Sequence, residues 1–153
     1  MKNLIMILVL TFISLQCTKN DFLTIKEMKN IVDKNNDKLG KFFIMGNPDS
    51  ITSMYSENAV VAPNGDDFYV GLNQILNMYK SDSESKILKM RTETMNVTGN
   101  KEIIYETGKT YLTISLPDTV YDTHIKYCNV WKLQDDGSYK LDVDIWNRDK
   151  AKK

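Results

Sequence analysis

The chain has 153 residues with 20 basic and 20 acidic side chains and a single histidine, for a formal net charge of zero. That balance excludes a general nucleic-acid binder: the basic excess that neutralises phosphates is missing, and no Lys/Arg cluster interleaves with aromatics. One histidine and 2 cysteines make no recognisable zinc site, so neither a metal nor a cofactor is expected, and the length fits one domain with a real core.

The N-terminus reads as an export signal, with Lys2, an apolar run of twelve residues from Leu4 to Leu15, then Cys17 and the polar Thr18-Lys19-Asn20-Asp21. Twelve residues fall short of the roughly twenty that span a bilayer. A cysteine directly after such a run resembles the lipobox of bacterial lipoproteins, in which cleavage leaves a lipid-modified cysteine as the new first residue. Here Ser14, Leu15 and Gln16 precede Cys17, where the usual pattern has leucine at the first of those places and small residues after it. That resemblance implies a signal over residues 1 to 16, lipidation of Cys17 and a short linker over 17 to 23. The alternative is an ordinary secretory signal cut nearby, with Cys17 incidental. Removing residues 1 to 16 takes away Lys2 alone among the charges, leaving 137 residues with 19 basic and 20 acidic side chains. Lipidation would place the protein in the cell envelope, anchored by acyl chains worth about 0.8 kcal/mol per buried methylene.

Thr24-Ile25-Lys26-Glu27 is a capping box, with Leu23 and Met28 placed as a hydrophobic staple. It predicts a helix whose apolar face runs through Met28, Ile31, Val32, Leu39, Phe42 and Phe43, weakened in the middle by Asn35, Asn36 and Gly40 and stopped by Gly46. Asn47-Pro48 restarts a shorter helix with Ile51, Met54 and Tyr55 as its buried stripe. Ala59 to Ala62 and Phe68 to Val70 read as short strands around Pro63-Asn64-Gly65. Leu72, Ile75, Leu76 and Tyr79 then repeat at helical spacing. After a polar linker, residues 87 to 98, 102 to 116, 120 to 134 and 139 to 147 predict four long strands in an antiparallel meander. Helices gathered early and strands gathered late give an α+β fold, with helices covering one face of a curved sheet.

The last hairpin sets a register. With a two-residue turn at Asp136-Gly137, or a four-residue turn over 135 to 138, Trp131 faces Asp142, Asn129 faces Asp144 and Tyr127 faces Trp146. These six share one face, while Cys128, Val130, Val143 and Ile145 share the other, where Cys128 is expected to be a buried, inert thiol. If residues 116 to 119 close the preceding hairpin tightly, Glu106 pairs with Asn129. A row Glu106-Asn129-Asp144 then crosses three strands. Two carboxyl groups sharing an amide among aromatics would push one pKa upward, which is how a carboxyl becomes a usable acid or base near neutrality. Solvated polar residues on a sheet face are the competing reading.

Tyr55-Ser56-Glu57-Asn58-Ala59-Val60-Val61, Val70-Gly71 opening a helix, Tyr105-Glu106-Thr107-Gly108, Lys126-Tyr127 with Val130-Trp131-Lys132, and Asp144-Ile145-Trp146-Asn147 together resemble a SnoaL-like domain of the nuclear transport factor 2-like superfamily. The resemblance covers about residues 25 to 148. It implies a domain over 24 to 148 with a tail over 149 to 153. The implied fold is a cone-shaped, strongly curved, mainly antiparallel sheet wrapped around N-terminal helices, cystatin-like, with a pocket at the wide end and frequently a homodimer through the outer face. In ketosteroid isomerases of that superfamily a general base lies a few residues beyond the segment resembling Tyr55 to Val61, and here that stretch reads Ala62-Pro63-Asn64. Asp66 and Asp67 read as solvated loop residues, and His124 as structural or exposed.

The leading expectation is an exported, lipid-anchored domain binding a small, partly apolar molecule, with Tyr55, Glu106, Tyr127, Asn129, Trp131, Asp144 and Trp146 as ligand-binding residues and no nucleic-acid partner. Two readings compete with it. One is an isomerase, lyase or cyclase-type enzyme using Asp144 or Glu106 as general acid or base; the other is a homodimeric assembly module.

Overall fold

The computed structural model describes residues 22–81 and 84–148; the signal segment, Cys17 and the tail over 149 to 153 lie outside them. Thr24 caps the first helix, α1 (Ile25–Met45): its hydroxyl accepts from the Glu27 amide, and the Glu27 carboxylate accepts from the Thr24 amide. At the other end Gly46 adopts the left-handed conformation, φ 60°, that a side chain would resist. The buried stripe of α1 is Met28, Val32, Asn36, Leu39 and Gly40. A polar residue therefore sits mid-stripe. Asn47 caps α2 (Pro48–Thr52), whose first residue, proline, has no amide to leave unpaired.

The helix ends sooner than the stripe Ile51, Met54, Tyr55 suggested. Tyr55 is the first residue of β1 (Tyr55–Ala62), which pairs with the short β2 (Tyr69–Val70) before α3 (Leu72–Ser81). Burial alone does not separate the end of a helix from the start of a strand, because both keep Tyr55 in the core. The meander follows as β3 (Lys86–Gly99), β4 (Ile103–Leu116), β5 (Thr119–Leu133) and β6 (Tyr139–Arg148). Among the described residues one sheet of six strands results, in the order β2-β1-β6-β5-β4-β3. It is antiparallel except that β1 lies parallel to β6, a long-range pairing with no local turn to announce it.

The turn Pro117-Asp118 is tight, so Leu116 pairs with Thr119 and Glu106 with Asn129. The final turn is one residue different from expectation. Gln134 and Ser138 close a three-residue loop in which Gly137 takes φ 83°, so Leu133 pairs with Tyr139 and Trp131 with Leu141 rather than Asp142. A bulge in the next step restores the register, and Val130 pairs with Val143, Asn129 with Asp144 and Tyr127 with Trp146. Asp142 is thereby turned away from the Trp131 face, where it accepts from Ser56 Oγ at 2.5 Å and stands 4.0 Å from Lys132 Nζ.

The two sheet faces are the reverse of what the placement of Cys128 assumed. The aromatic and carboxyl face is the inner one: Trp131, Glu106 and Tyr55 have no exposure, whereas Cys128 is exposed and Ile145 is 45% exposed on the outer face. The reason is area. Two tryptophans and a tyrosine bury far more surface than a cysteine and two valines, and the carboxyl groups among them are matched by donors. The narrow end of the cone is packed solid by Met28, Val32, Val97, Ile104, Trp131 and Leu141. The wide end is open.

Candidate functional site

Above Trp131 the core gives way to a cavity of about 940 Å³, bounded by the C-terminal half of α1, the start of α2, the end of α3 and the inner faces of β3 to β6. That is at the upper end of the range for sites that enclose small molecules. Its walls are mostly apolar, with Leu39, Phe43, Ile51, Met90, Leu112 and Ile114 among them. Of the strand row Glu106-Asn129-Asp144 the last two line it, and Lys80, Lys86 and Arg148 add three cations.

The two carboxyl groups of that row have different situations. Glu106 is fully buried and does not line the cavity. Four donors converge on it: Asn36 Nδ2 at 2.7 Å, Thr94 Oγ1 at 2.7 Å and Tyr127 Oη at 2.6 Å reach Oε1, and Trp131 Nε1 at 2.7 Å reaches Oε2. This explains the polar residue on the buried stripe of α1, since Asn36 ties the helix to β4. Glu106 is a clamp between helix and sheet, and Trp131 belongs to the same clamp rather than to the cavity wall.

Asp144 does line the cavity. Its Oδ2 accepts from Tyr55 Oη at 2.7 Å, and Tyr55 Oη lies 2.7 Å from Tyr79 Oη. A phenol has one proton, so while Tyr55 donates to Asp144 the Tyr79 hydroxyl must donate to Tyr55. The Asn129 amide, oriented by its neighbours, donates to Asp144 Oδ1 at 3.1 Å and to the Cys128 carbonyl at 3.3 Å. Asn129 thus serves Asp144, while Glu106 draws its donors from elsewhere. Burial raises the Asp144 carboxyl from 3.8 to about 6; the Tyr55 hydrogen bond opposes the rise, and the nearby Glu106 charge adds to it. Burial also holds the Tyr55 and Tyr79 hydroxyls far above the usual phenol value, with the Asp144 charge adding, so both remain donors.

Of the seven residues proposed from sequence, Tyr127, Asn129, Asp144 and Trp146 line the cavity, while Tyr55, Glu106 and Trp131 lie behind its wall. Tyr55 reaches the cavity only through its bonds to Asp144 and Tyr79. Sequence reasoning missed Tyr79 and Asn36 as members of the site. Asn36 was legible in principle, because Met28-Val32-Asn36-Leu39 is one helical stripe. Among the remaining candidates, Asp66 and Asp67 are exposed, Asp66 accepting from Tyr69 Oη. On the outer face the Tyr111 ring lies 5.9 Å from His124 and beneath the Arg91 guanidinium at 4.2 Å. Among the described residues no group of three or more His, Cys, Asp and Glu side chains is placed to hold a metal ion.

No family model matches this sequence, and no curated protein does either. Solved structures do match its backbone. A ketosteroid isomerase-like protein from Erwinia carotovora atroseptica is similar with a TM-score of 0.72 at 13% identity, over 80% of this chain and 96% of that one. An NTF2-like protein from Cytophaga hutchinsonii matches with a TM-score of 0.67 at 12% identity, over 79% and 98% of the two chains. An NTF2-like protein with a cystatin-like fold from Novosphingobium aromaticivorans matches with 0.66 at 10% identity, over 83% and 85%. At such identities the likeness defines the fold alone: the chain has the α+β cone fold of these NTF2-like and cystatin-like structures.

Proposed function

We propose that this is an exported SnoaL-like domain that holds a small, partly apolar molecule in the wide end of its cone, with Asp144 as the polar anchor. The observation that carries the reading is the pairing of a large cavity with a single carboxyl, among the described residues, on its wall. Had Glu106 also reached the cavity, two carboxyl groups would have argued first for chemistry; its four hydrogen bonds assign it to holding the fold. The apolar walls would bury the body of the ligand, and the Tyr79-Tyr55-Asp144 chain with Asn129 fixes the carboxyl in place. The signal segment and the lipobox-like Cys17 support export and lipid anchoring in the cell envelope. An apolar, partly exposed strip on the outer face, with Tyr105, Val130 and Val143 in one row and Cys128 and Ile145 in the next, supports a homodimer formed there.

Native mass spectrometry of protein purified from its own host tests pocket and assembly together. The expected spectrum shows a dimer whose protomers retain a small organic mass, absent when Leu112→Trp fills the cavity. A bare monomer, or the same mass on both forms, would refute the reading.

One observation favours a second reading. A buried carboxyl at about 6, bonded to a phenol and open to a cavity, is suited to moving a proton near neutrality. An isomerase or lyase acting on a carbonyl compound would use Asp144 as its acid or base. Asp144→Asn should then abolish turnover of an enolisable ketone or lactone; equal background rates in both forms would leave no case for catalysis.

A further inference from the structure

Charge on the cavity wall is unevenly distributed. Among the described residues that line it, Asp144 is the sole carboxyl, whereas Lys80, Lys86 and Arg148 are three cations. Their places in the fold differ from that of Asp144. Asp144, Trp146 and Arg148 are alternate residues of β6 and all line the cavity, so they succeed one another along one face. Four residues of strand separate the carboxyl from the guanidinium by about 13 Å of backbone. Lys80 belongs to the last turn of α3, and Lys86 opens β3 beside the turn between β4 and β5. All three cations therefore lie toward the mouth, and the carboxyl lies toward the packed end.

Among the described residues internal pairing does not use up this charge. There Lys80 has only an exposed contact, 3.8 Å from Asp49 Oδ1, of a kind worth little in water. Among the described residues neither Lys86 nor Arg148 takes part in an ion pair. The floor has the opposite character. Both Asp144 oxygens already accept one protein hydrogen bond each and retain capacity for another, so a ligand atom there must donate rather than bring a second negative charge.

We propose that the cavity takes an anionic amphiphile, with its negative head at Arg148, Lys80 and Lys86, its apolar body against the walls, and a hydroxyl or N–H at the inner end donating to Asp144. This rests on the ligand-pocket reading above and adds its polarity and direction. A guanidinium offers a carboxylate or phosphate two parallel donors, and a cleft with apolar walls concentrates the field of its cations.

The test is displacement of the neutral fluorophore N-phenylnaphthylamine by dodecan-1-ol, dodecanoate, dodecyl phosphate and ω-hydroxydodecanoate, which share one chain. The expected order has an anionic form displacing the probe about tenfold better than the alcohol, a preference that salt weakens. The better of carboxylate and phosphate then identifies the head group. The hydroxy acid should exceed dodecanoate in the wild type but not in Asp144→Leu. Replacing Arg148 and Lys80 together by alanine should bring the anion-to-alcohol ratio toward one. Because the readouts are ratios within one variant, a general loss of structure does not imitate them. If the probe binds and the alcohol displaces it as well as either anion, the proposed polarity is wrong while the pocket stands. If the probe does not bind at all, both fall.

Discussion

At the residue scale, the two carboxyl groups of one strand row have been given separate tasks by their neighbours. Asp144 carries a cost for its position. Its pKa is raised in the folded chain, from 3.8 to about 6, so the fold favours the protonated form. The sign follows from linkage: the stability contribution is present below about pH 4 and is lost as the pH rises through about 6, a total of about 3 kcal/mol. Roughly 2 kcal/mol of that falls between pH 4.5 and 7.5. Urea unfolding of wild type and Asp144→Asn at those two pH values isolates the effect, because other titrations cancel in the difference. The wild type should lose about 2 kcal/mol relative to the variant on going to the higher pH; a constant difference would show that Asp144 is not the buried acid described. Glu106 makes the complementary case. Glu106→Gln puts an amide nitrogen where only donors converge, leaving at least the Trp131 N–H or one of its companions unpaired, at about 1–3 kcal/mol. An unchanged urea midpoint would mean that the clamp does not hold.

At the element scale, how much was legible depended on what each element answers to. Tight turns are local chemistry, so the pairing of Glu106 with Asn129 was readable from residues 116 to 119. The pairing of Asn129 with Asp144 matches the expected register only because a bulge offsets the three-residue closing loop. That loop and its bulge were not readable, since the sequence Leu141-Asp142-Val143 alternates equally well in either register. The parallel contact of β1 with β6 and the docking of α1 and α3 over the sheet depend on packing among distant segments. That is why Asn36 and Tyr79 escaped notice as partners of the row. The pattern also distinguished two sheet faces without saying which would face inward. One close approach tests the strand pairing directly. Gly108 lies opposite Tyr127, and a Cβ there would fall 2.4 Å from both the Tyr127 hydroxyl and the Glu93 carbonyl. The backbone cannot yield as a side chain can, so Gly108→Ala should cost about 1–3 kcal/mol and displace the Tyr127 hydroxyl from Glu106. Wild-type stability in that variant would mean that the ring does not lie over the glycine.

At the scale of the whole molecule, the cone divides into a packed end and an open end, and Trp131 and Trp146 report on them separately. Trp131 has no exposure and bonds to Glu106 inside the packed end, while Trp146 lines the cavity. A molecule in the cavity must therefore reach one indole before the other. The most direct measurement is quenching of tryptophan fluorescence by ω-bromododecanol, a neutral amphiphile whose heavy atom acts only at short range. The wild type should show saturable quenching, and Trp146→Phe, which keeps Trp131, should lose most of it. Quenching that fails to saturate, or that is undiminished in Trp146→Phe, would contradict the claim that the wide end of the cone is a binding site.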